Sequence, residues 1–249
     1  MDSLNKDREG LKILLIQIRE DPTVREEEHQ SFADYSGVDK SQIEILDVFE
    51  KPIFSKEVLK GIDAVFIGGA SEASVLEPGK YIFISSCIEL IKDLIDQKIP
   101  TFASCFGFQL AVLALGGEII RDTDNFEMGT LPISLTDRAK SDPIFRNTPS
   151  GFRAVSVHQE KAIELPSGCE LLAYTDECLH SFKVENAPFW TFQFHPELDR
   201  TRLMQRLSVY KEKYTEDPAH LNNILDSIQE TPESNLLVKN FVDNILLGK

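Results

Sequence analysis

Three apolar runs in the first part of the chain predict buried strands, and helical patterns lie between and after them. The runs are LKILLIQI at 11–18, QIEILDVF at 42–49 and IDAVFIGG at 62–69. The first and third are almost continuously apolar, which is typical of strands in a sheet covered on both faces. Residues 87–95 carry apolar side chains at helical spacing. Strands that alternate with helices over the first 120 residues predict a largely parallel α/β sheet.

The second half of the chain is richer in predicted strands and ends in helical sequence. The strand-like segments are GTLPISL (129–135), GFRAVSV (151–157), ELLAYT (170–175), HSFKVE (180–185) and FWTFQF (189–194). From Leu198 onward the sequence is charged and helical, with a last amphipathic helix at 235–247. We therefore expect one α/β domain over residues 1–249, with an open, largely parallel central sheet flanked by helices. Its core is expected at about 11–197 and a C-terminal helical extension at 198–249.

One uncharged stretch, IPTFASCFGFQLAVLALGG at 99–117, contrasts with the rest of this charged chain. It is barely long enough to span a membrane, and a proline, polar residues and glycines interrupt it. A strand, a tight turn and a helix fit better. IPTFA is typical of a buried strand, and FQLAVLAL has good helix formers that end at Gly116-Gly117. Cys105 then lies at the junction between strand and helix.

Composition and charge narrow the class of protein. The chain has 249 residues, of which 42% are hydrophobic and 27% charged, enough for a sizeable core. Its net charge of −15 argues against nucleic acid or an anionic membrane surface as a partner. The four cysteines form no CxxC pair and no zinc spacing, and the polar start MDSLNKDREG has no signal-peptide pattern. Reduced thiols and a cytoplasmic location are therefore expected.

Two predicted loops carry candidate chemistry, because ligands in open α/β sheets bind at the carboxyl ends of the strands. In GGASEAS (68–74), Gly68 and Gly69 let the backbone approach a ligand closely, although an ordinary turn explains this loop more simply. In ASCFGF, small residues at 103 and 107 bracket Cys105, as a sharp strand-to-helix turn requires. That turn exposes the sulfur at a helix N-terminus, whose dipole favours thiolate. A buried structural cysteine is an equal alternative at this point.

The segment FQFHPEL (192–198) ends a predicted strand with His195, Pro196 and Glu197. Proline stops the strand, and residues i and i+2 of an extended chain face the same side. The carboxylate can therefore fix the tautomer of the imidazole. A base that is oriented by a third group and faces a thiol is the layout of an activated nucleophile. An isolated His-Pro-Glu is usually a surface pair, so this interpretation depends on Cys105 as well.

SCFGFQ followed 90 residues later by HPE resembles the class I glutamine amidotransferases, whose signature is Cys-x-Gly-x-Gln with a distant His-Pro-Glu. The resemblance covers about residues 11–197 and is greatest to stand-alone proteins similar to the amidotransferase domain of GMP synthase. The resemblance implies the α/β fold of this family. It also implies that Cys105 is the nucleophile, that His195 is base and acid, and that Glu197 is the carboxylate that orients the imidazole.

The resemblance also implies a substrate pocket beside the nucleophile. The backbone N–H groups of Gly69 and Phe106 are the implied oxyanion hole. His158 lies where relatives carry a histidine, and Glu160 follows at the position of their acidic residue; a plain core or surface histidine is an equal alternative. The substrate-binding candidates are Gly68, Gln109 and His158.

The implied reaction cleaves the γ-amide of glutamine through a γ-glutamyl thioester and releases ammonia to an acceptor. It needs no metal and no organic cofactor. The chain shows no glycine-rich ATP motif, and the part after Glu197 is too short for a synthetase domain, so a separate synthetase or acceptor subunit is expected. A γ-glutamyl peptidase that acts alone and a non-catalytic regulatory protein with the same fold stay open, as does a homodimer. Nucleic acid and membrane partners are not expected.

Overall fold

The computed structural model describes residues 7–209 and 227–249, and its first half alternates strands with helices. Each apolar run noted above forms a strand, and the helical pattern at 87–95 lies inside a longer helix. The elements are β1 (Ile13–Gln17), α1 (Pro22–Ser36), β2 (Ile43–Asp47), β3 (Ala64–Ile67), α2 (Phe83–Asp96), β4 (Thr101–Ser104) and α3 (Phe106–Ala114), with short 3-10 helices at Arg8–Gly10, Lys40–Gln42 and Lys56–Leu59.

Among the described residues, the second half carries the remaining strands and two C-terminal helices. They are β5 (Ile119–Arg121), β6 (Glu127–Leu135), β7 (Phe152–His158), β8 (Glu160–Ala162), β9 (Cys169–Tyr174), β10 (Leu179–Val184), β11 (Phe189–Phe192), α4 (Arg200–Val209) and α5 (Pro232–Asn240), with a 3-10 helix at Arg138–Ser141 and a π-helical turn at Phe241–Leu246. The helix predicted at 235–247 is present, but it starts earlier and passes into the wider π-helical turn. Residues 210–226 of the predicted extension lie outside the described residues.

Nine of the strands form one mixed sheet in the order β2-β1-β3-β4-β11-β10-β9-β6-β7. The strands from β2 to β11 in this order pair in parallel, which confirms the largely parallel centre. The remaining four strands extend the sheet by antiparallel pairing. β5 and β8 form a separate two-stranded sheet. Because β3, β4 and β11 are parallel neighbours, the loops that follow them meet at one edge of the sheet.

The parallel strands are buried on both faces, as their continuous apolar runs predict. In β1, Leu14 and Ile16 pack with α2 and α3, whereas Ile13 and Leu15 pack with α1 and α5 on the opposite face. Leu237 of α5 is fully buried in this second layer. A buried leucine of this kind contributes about 1.5–3 kcal/mol of transfer free energy. The C-terminal helix is therefore part of the core that supports the sheet.

The uncharged stretch at 99–117 divides into β4, a turn at Cys105 and α3, which confirms the prediction of a strand, a turn and a helix. All of β4 is buried, and α3 is buried from Phe106 to Val112. The stretch therefore carries no charge because β4 is buried inside the sheet and α3 is buried in the helical layer that covers it. In the described ranges no helix has both the length and the apolar character that a membrane span needs.

Candidate active site

Cys105 occupies a strained turn between β4 and α3. Its backbone has a φ of 48° and a ψ of −97°, a conformation that is uncommon for a residue with a side chain. The N–H of Cys105 donates to the carbonyl oxygen of Phe192, the last residue of β11, at 2.6 Å. Gly107 has to be small, because a Cβ atom there would lie 2.9 Å from Cγ2 of Ile67 and 3.0 Å from its carbonyl oxygen. The turn therefore holds the thiol at the start of α3, where the sequence places it.

His195 and Glu197 form a buried pair just beyond β11. Nδ1 of His195 lies 2.7 Å from Oε1 of Glu197. The histidine is 5% exposed and the carboxylate is fully buried. The distance fits a hydrogen bond in which Nδ1–H donates to the carboxylate, which directs Nε2 away from it. The side-by-side arrangement expected from His-Pro-Glu is present.

Cys105 and His195 are close neighbours, because both lie against Gly69. Burial lowers the pKa of His195, but the negative charges of the Cys105 thiolate and the Glu197 carboxylate outweigh it and raise the pKa to about 9. Burial likewise opposes ionisation of Glu197, yet the adjacent imidazole brings the pKa of that carboxyl below its ordinary value. Near neutral pH the site therefore favours an imidazolium at His195 beside an ionised Glu197 carboxylate.

Helices from distant parts of the chain hold the His-Pro-Glu segment. The hydroxyl of Ser31, in α1, donates to the carbonyl oxygen of Glu197. The side-chain amide of Asn235, in α5, donates to the carbonyl oxygens of Pro196 and Leu198, each at 2.8 Å. Both of these polar side chains are buried. The C-terminal extension therefore contributes directly to the geometry of the candidate site.

The loop after β3 brings Gly69 against both Cys105 and His195. A Cβ atom on Gly69 would lie 2.7 Å from Cε1 of His195 and 3.4 Å from Cβ of Cys105. Phe106 is the first residue of α3, so its N–H has no acceptor within the helix. The two backbone groups predicted to form an oxyanion hole therefore flank the nucleophile candidate, and their role stays a prediction.

A buried ion pair supports this loop from behind. Nε of Arg19 donates to Oε1 of Glu28 at 2.9 Å, and Nη1 of Arg19 donates to Oγ of Ser71 at 2.9 Å. Arg19 is 1% exposed and Glu28 is fully buried. Gly68 faces this pair, because a Cβ atom there would lie 2.8 Å from Oε1 of Glu28. Gly68, a predicted substrate-binding residue, thus packs against the ion pair and does not line the cavity beside the thiol.

A cavity of about 280 Å³ opens beside Cys105. The predicted pocket residues Gln109 and His158 line it, together with Arg121 and Glu160. Nε2 of Gln109 donates to the carbonyl oxygen of Glu160 at 3.0 Å, and Nη2 of Arg121 donates to Oε1 of Glu160 at 2.7 Å. The cavity therefore presents a carboxylate and a guanidinium near the thiol. These charges complement the α-amino and α-carboxylate groups of an amino acid.

His158 lies in the wall of the cavity and is almost completely buried. Its Nε2 is 2.9 Å from Oε2 of Glu127. Burial lowers the pKa of His158, so the ring is neutral near pH 7. Glu127, Arg121 and Arg19 were not identified from the sequence. For Glu127 and Arg19 the signal is a charged residue inside or beside a buried strand, where an ion needs a partner, and it becomes visible only once burial is known. Arg121 is partly exposed and is found only through its contact with Glu160.

Comparison with known proteins places this site in a family. The family model described as glutamine amidotransferase class-I matches residues 37–208, which include the Cys105 turn, the cavity and the His-Pro-Glu segment. The chain belongs to this family. The resemblance inferred from SCFGFQ and HPE is therefore confirmed.

Relatives of this amidotransferase chain include components of GMP synthase. One subunit of the glutamine-hydrolyzing GMP synthase of Methanocaldococcus jannaschii is 30% identical over 152 residues, covering 60% of this chain and 72% of that protein. Glutamine-hydrolyzing GMP synthase of Thermotoga maritima is 26% identical over 175 residues, covering 70% of this chain. The match spans only 32% of the Thermotoga protein, about a third of its length.

Solved structures share the fold over more of the chain. A glutamine amidotransferase from Thermotoga maritima superposes with a TM-score of 0.77 at 18% identity, covering 94% of this chain and 97% of that one. A putative GMP synthase subunit from Thermoplasma acidophilum gives a TM-score of 0.61 at 21% identity, covering 82% of this chain and 96% of that one. At these identities the likeness establishes the fold, a mixed and largely parallel sheet between helical layers.

Proposed function

We propose that this class I amidotransferase chain hydrolyses the γ-amide of glutamine, with Cys105, His195 and Glu197 as its catalytic residues. The observation that carries the proposal is that Cys105 and His195 both lie against Gly69, while Glu197 holds the imidazole at 2.7 Å. The cavity beside the sulfur supplies charges of both signs for the two ends of an amino acid.

The proposed reaction begins when the imidazole of His195 takes the proton of the Cys105 thiol. The thiolate of Cys105 attacks the γ-carbonyl carbon and forms a C–S bond, and the carbonyl electrons move to oxygen. The imidazolium of His195 then gives its proton to the leaving nitrogen, so ammonia departs and a γ-glutamyl thioester remains. His195, now neutral, takes a proton from water, and the hydroxide attacks the thioester to release glutamate and the thiolate. Glu197 keeps the imidazole in one orientation throughout.

The oxyanion formed in both steps needs hydrogen-bond donors close to the sulfur. The N–H groups of Gly69 and Phe106 are the donors we assign, because both residues flank Cys105. One such donor is worth about 2.7–4 kcal/mol of transition-state stabilisation. The ion pair of Arg19 and Glu28 is a positioning device, since it fixes the loop that carries Gly69.

Gly69→Ala should lower kcat for glutamine hydrolysis about 100-fold. The added methyl group displaces the His195 ring, and a misplacement of about 1 Å near reacting groups costs about that factor. Steady-state kinetics of the folded variant measure the effect. Gly79→Ala is the matched control, because a Cβ atom on Gly79 meets no atom within 4 Å. Unchanged kcat in Gly69→Ala would show that this loop does not approach the reacting atoms.

A diazo-ketone analogue of glutamine should label Cys105 alone, with one adduct per chain near neutral pH. Burial raises the pKa of Cys87 and of Cys178 well above the ordinary value, and raises that of Cys169 to about 12, so these three stay thiols. Intact mass and peptide mapping locate the adduct, and Cys105→Ser serves as the control that should form none. Label spread over the other three cysteines would contradict the assignment.

The released ammonia is proposed to pass to a separate subunit. One relative is named as a subunit of GMP synthase, and this chain spans only a third of the longer Thermotoga protein. The isolated chain should therefore hydrolyse glutamine slowly, and a cognate acceptor subunit should raise the rate. A γ-glutamyl peptidase acting alone predicts the opposite. A preference of about tenfold or more in kcat/KM for γ-glutamyl dipeptides over glutamine, about 1.4 kcal/mol, would assign that activity instead.

A further inference from the structure

A second group of metal-ligating side chains lies behind the cavity wall. Glu127 at the start of β6, His158 at the end of β7, Cys178 before β10 and His180 within β10 converge there; we call these four residues the Glu127 cluster. One ligand atom from each lies within 4.8 Å of all the others. All four side chains are buried, with exposures of 8%, 7%, 8% and 0%. The mechanism proposed above does not use Glu127, Cys178 or His180.

The distances within the Glu127 cluster are close to those of a tetrahedral metal site. Oε2 of Glu127 lies 2.9 Å from Nε2 of His158, 2.8 Å from Nε2 of His180 and 3.7 Å from Sγ of Cys178. Sγ of Cys178 lies 3.3 Å from Nε2 of His180. With Zn²⁺ bonds of about 2.0–2.3 Å, neighbouring ligand atoms of a tetrahedron lie roughly 3.3–3.6 Å apart. The four distances above lie within about 0.5 Å of that range, and the other ligand pairs lie within 4.8 Å.

The turn between β9 and β10 keeps the ligand atoms pointing inward. Oγ1 of Thr175 donates to Oε1 of Glu127 at 2.9 Å, which leaves Oε2 directed at the two imidazoles. The N–H of Cys178 donates to the same Thr175 hydroxyl oxygen at 3.2 Å. Outer hydrogen bonds of this kind orient ligand groups and raise metal affinity.

We propose that the Glu127 cluster binds one Zn²⁺ ion through a carboxylate oxygen of Glu127, the Nε2 atoms of His158 and His180, and the sulfur of Cys178. The ion replaces the hydrogen bonds that now join the imidazoles to the carboxylate. The Cys178 thiol loses its proton to solvent as the Zn–S bond forms. The carboxylate and the thiolate then balance the charge of the ion inside a buried site.

The ligand set selects the class of ion. A thiolate with two imidazoles suits Zn²⁺ and its neighbours in the transition series, whereas Mg²⁺ and Ca²⁺ prefer all-oxygen sites.

Two contacts connect this site to the candidate active site. His158 belongs to the Glu127 cluster and also lines the cavity. The carbonyl oxygen of His180 accepts from the N–H of Gln193 at 2.7 Å, and Nε2 of Gln193 lies 3.9 Å from Sγ of Cys105. Zinc would thus fix the cavity wall and the strand behind the nucleophile. The ion takes no part in the amide cleavage proposed above. Failure of zinc binding would therefore not contradict the proposed hydrolysis, and failure of hydrolysis would not contradict zinc binding.

The test measures binding directly on the full chain after treatment with a chelator. Zn²⁺ titration against a chromophoric competitor and native mass spectrometry should show one ion per chain. Cys178→Ser and His180→Gln should each weaken binding at least about 10–100-fold, the loss that even outer-shell substitutions cause. His180→Gln retains a donor for Glu127, so the fold should survive. Cys169→Ser is the matched control. Cys169 is another buried cysteine, at the start of β9 and outside the Glu127 cluster, so this variant should bind Zn²⁺ as the unaltered chain does.

Co²⁺ supplies a second readout that does not depend on affinity. The unaltered chain should show a thiolate-to-Co²⁺ charge-transfer band, and Cys178→Ser should lose it. Cys105→Ser should keep both the band and the Zn²⁺ affinity, because the reactive thiol lies outside the cluster. No stoichiometric binding, equal affinity in Cys178→Ser, or loss of binding in Cys105→Ser would each overturn the proposal. Circular dichroism of the metal-free variants separates these outcomes from misfolding.

Discussion

Cys105→Ala should abolish glutamine hydrolysis, with kcat reduced by about 10⁴-fold or more. The variant removes the sulfur that forms the thioester, and Cys105 is the one cysteine among the described residues that line the cavity. Losses of 10⁴–10⁶ are typical when the nucleophile of such a unit is deleted. Release of ammonia measured with a coupled enzyme, together with the failure to form an adduct, reports the effect.

Cys87→Ala is the matched control for this variant. Cys87 is a buried cysteine of α2 that packs in the core away from the cavity, so its loss should lower the free energy of unfolding slightly and leave kcat unchanged. Residual activity above one percent in Cys105→Ala would mean that hydrolysis does not proceed through this thiol. A comparable loss in both variants would indicate a general effect on the fold.

His195→Ala should cost about 10³-fold in kcat, whereas Glu197→Gln should cost at least about tenfold less. Deleting the imidazole removes both proton transfers, each worth about 10²–10⁴. Glutamine at 197 keeps an oxygen that can accept from Nδ1–H of His195. Its amide group can take the place of Oε2, which has no hydrogen-bond partner among the described residues. Steady-state kinetics with folded variants compare the two losses.

The pH profile of Glu197→Gln gives an independent readout. Glu197 is one of two negative groups that raise the pKa of His195 to about 9, so removing its charge should lower that pKa. The limb of the profile that belongs to His195 should therefore move to lower pH. Equal losses in the two variants would show that Glu197 takes part in the chemistry. A profile that does not move would show that His195 does not titrate there.

Much of the fold and of the candidate site was predictable because the signals are local. Continuous apolar runs at 11–18 and 62–69 predicted buried parallel strands, since only a strand covered on both faces needs no polar alternation. The small residue at 107 predicted the sharp turn, and the structure shows Ile67 pressed against it. The spacing of His195 and Glu197 predicted their pairing, because an extended chain places alternate residues on one side.

The order of the strands was decided only by the tertiary structure. Periodicity reports which residues are buried, but it does not report which strand lies beside which. β11 lies next to β4 in the sheet although residues 105–188 separate the two strands along the chain, and this neighbour relation brings His195 to Cys105. The sequence alone reached that pairing through a family signature. His195 comes close to Cys105 because Phe192 pairs with Ser104 in the parallel register of β11 and β4.

The buried polar contacts likewise depend on distant parts of the chain. Asn235 reaches the His-Pro-Glu carbonyls from the last helix, and Arg19 meets Glu28 behind the loop of Gly69. The Glu127 cluster gathers ligands from three separate segments, and only Cys178 and His180 are close together along the chain. The sequence by itself determined which segments are buried strands and helices and which residue types are reactive. The three-dimensional packing decided which charges meet, because burying one ion requires a partner wherever in the chain that partner lies.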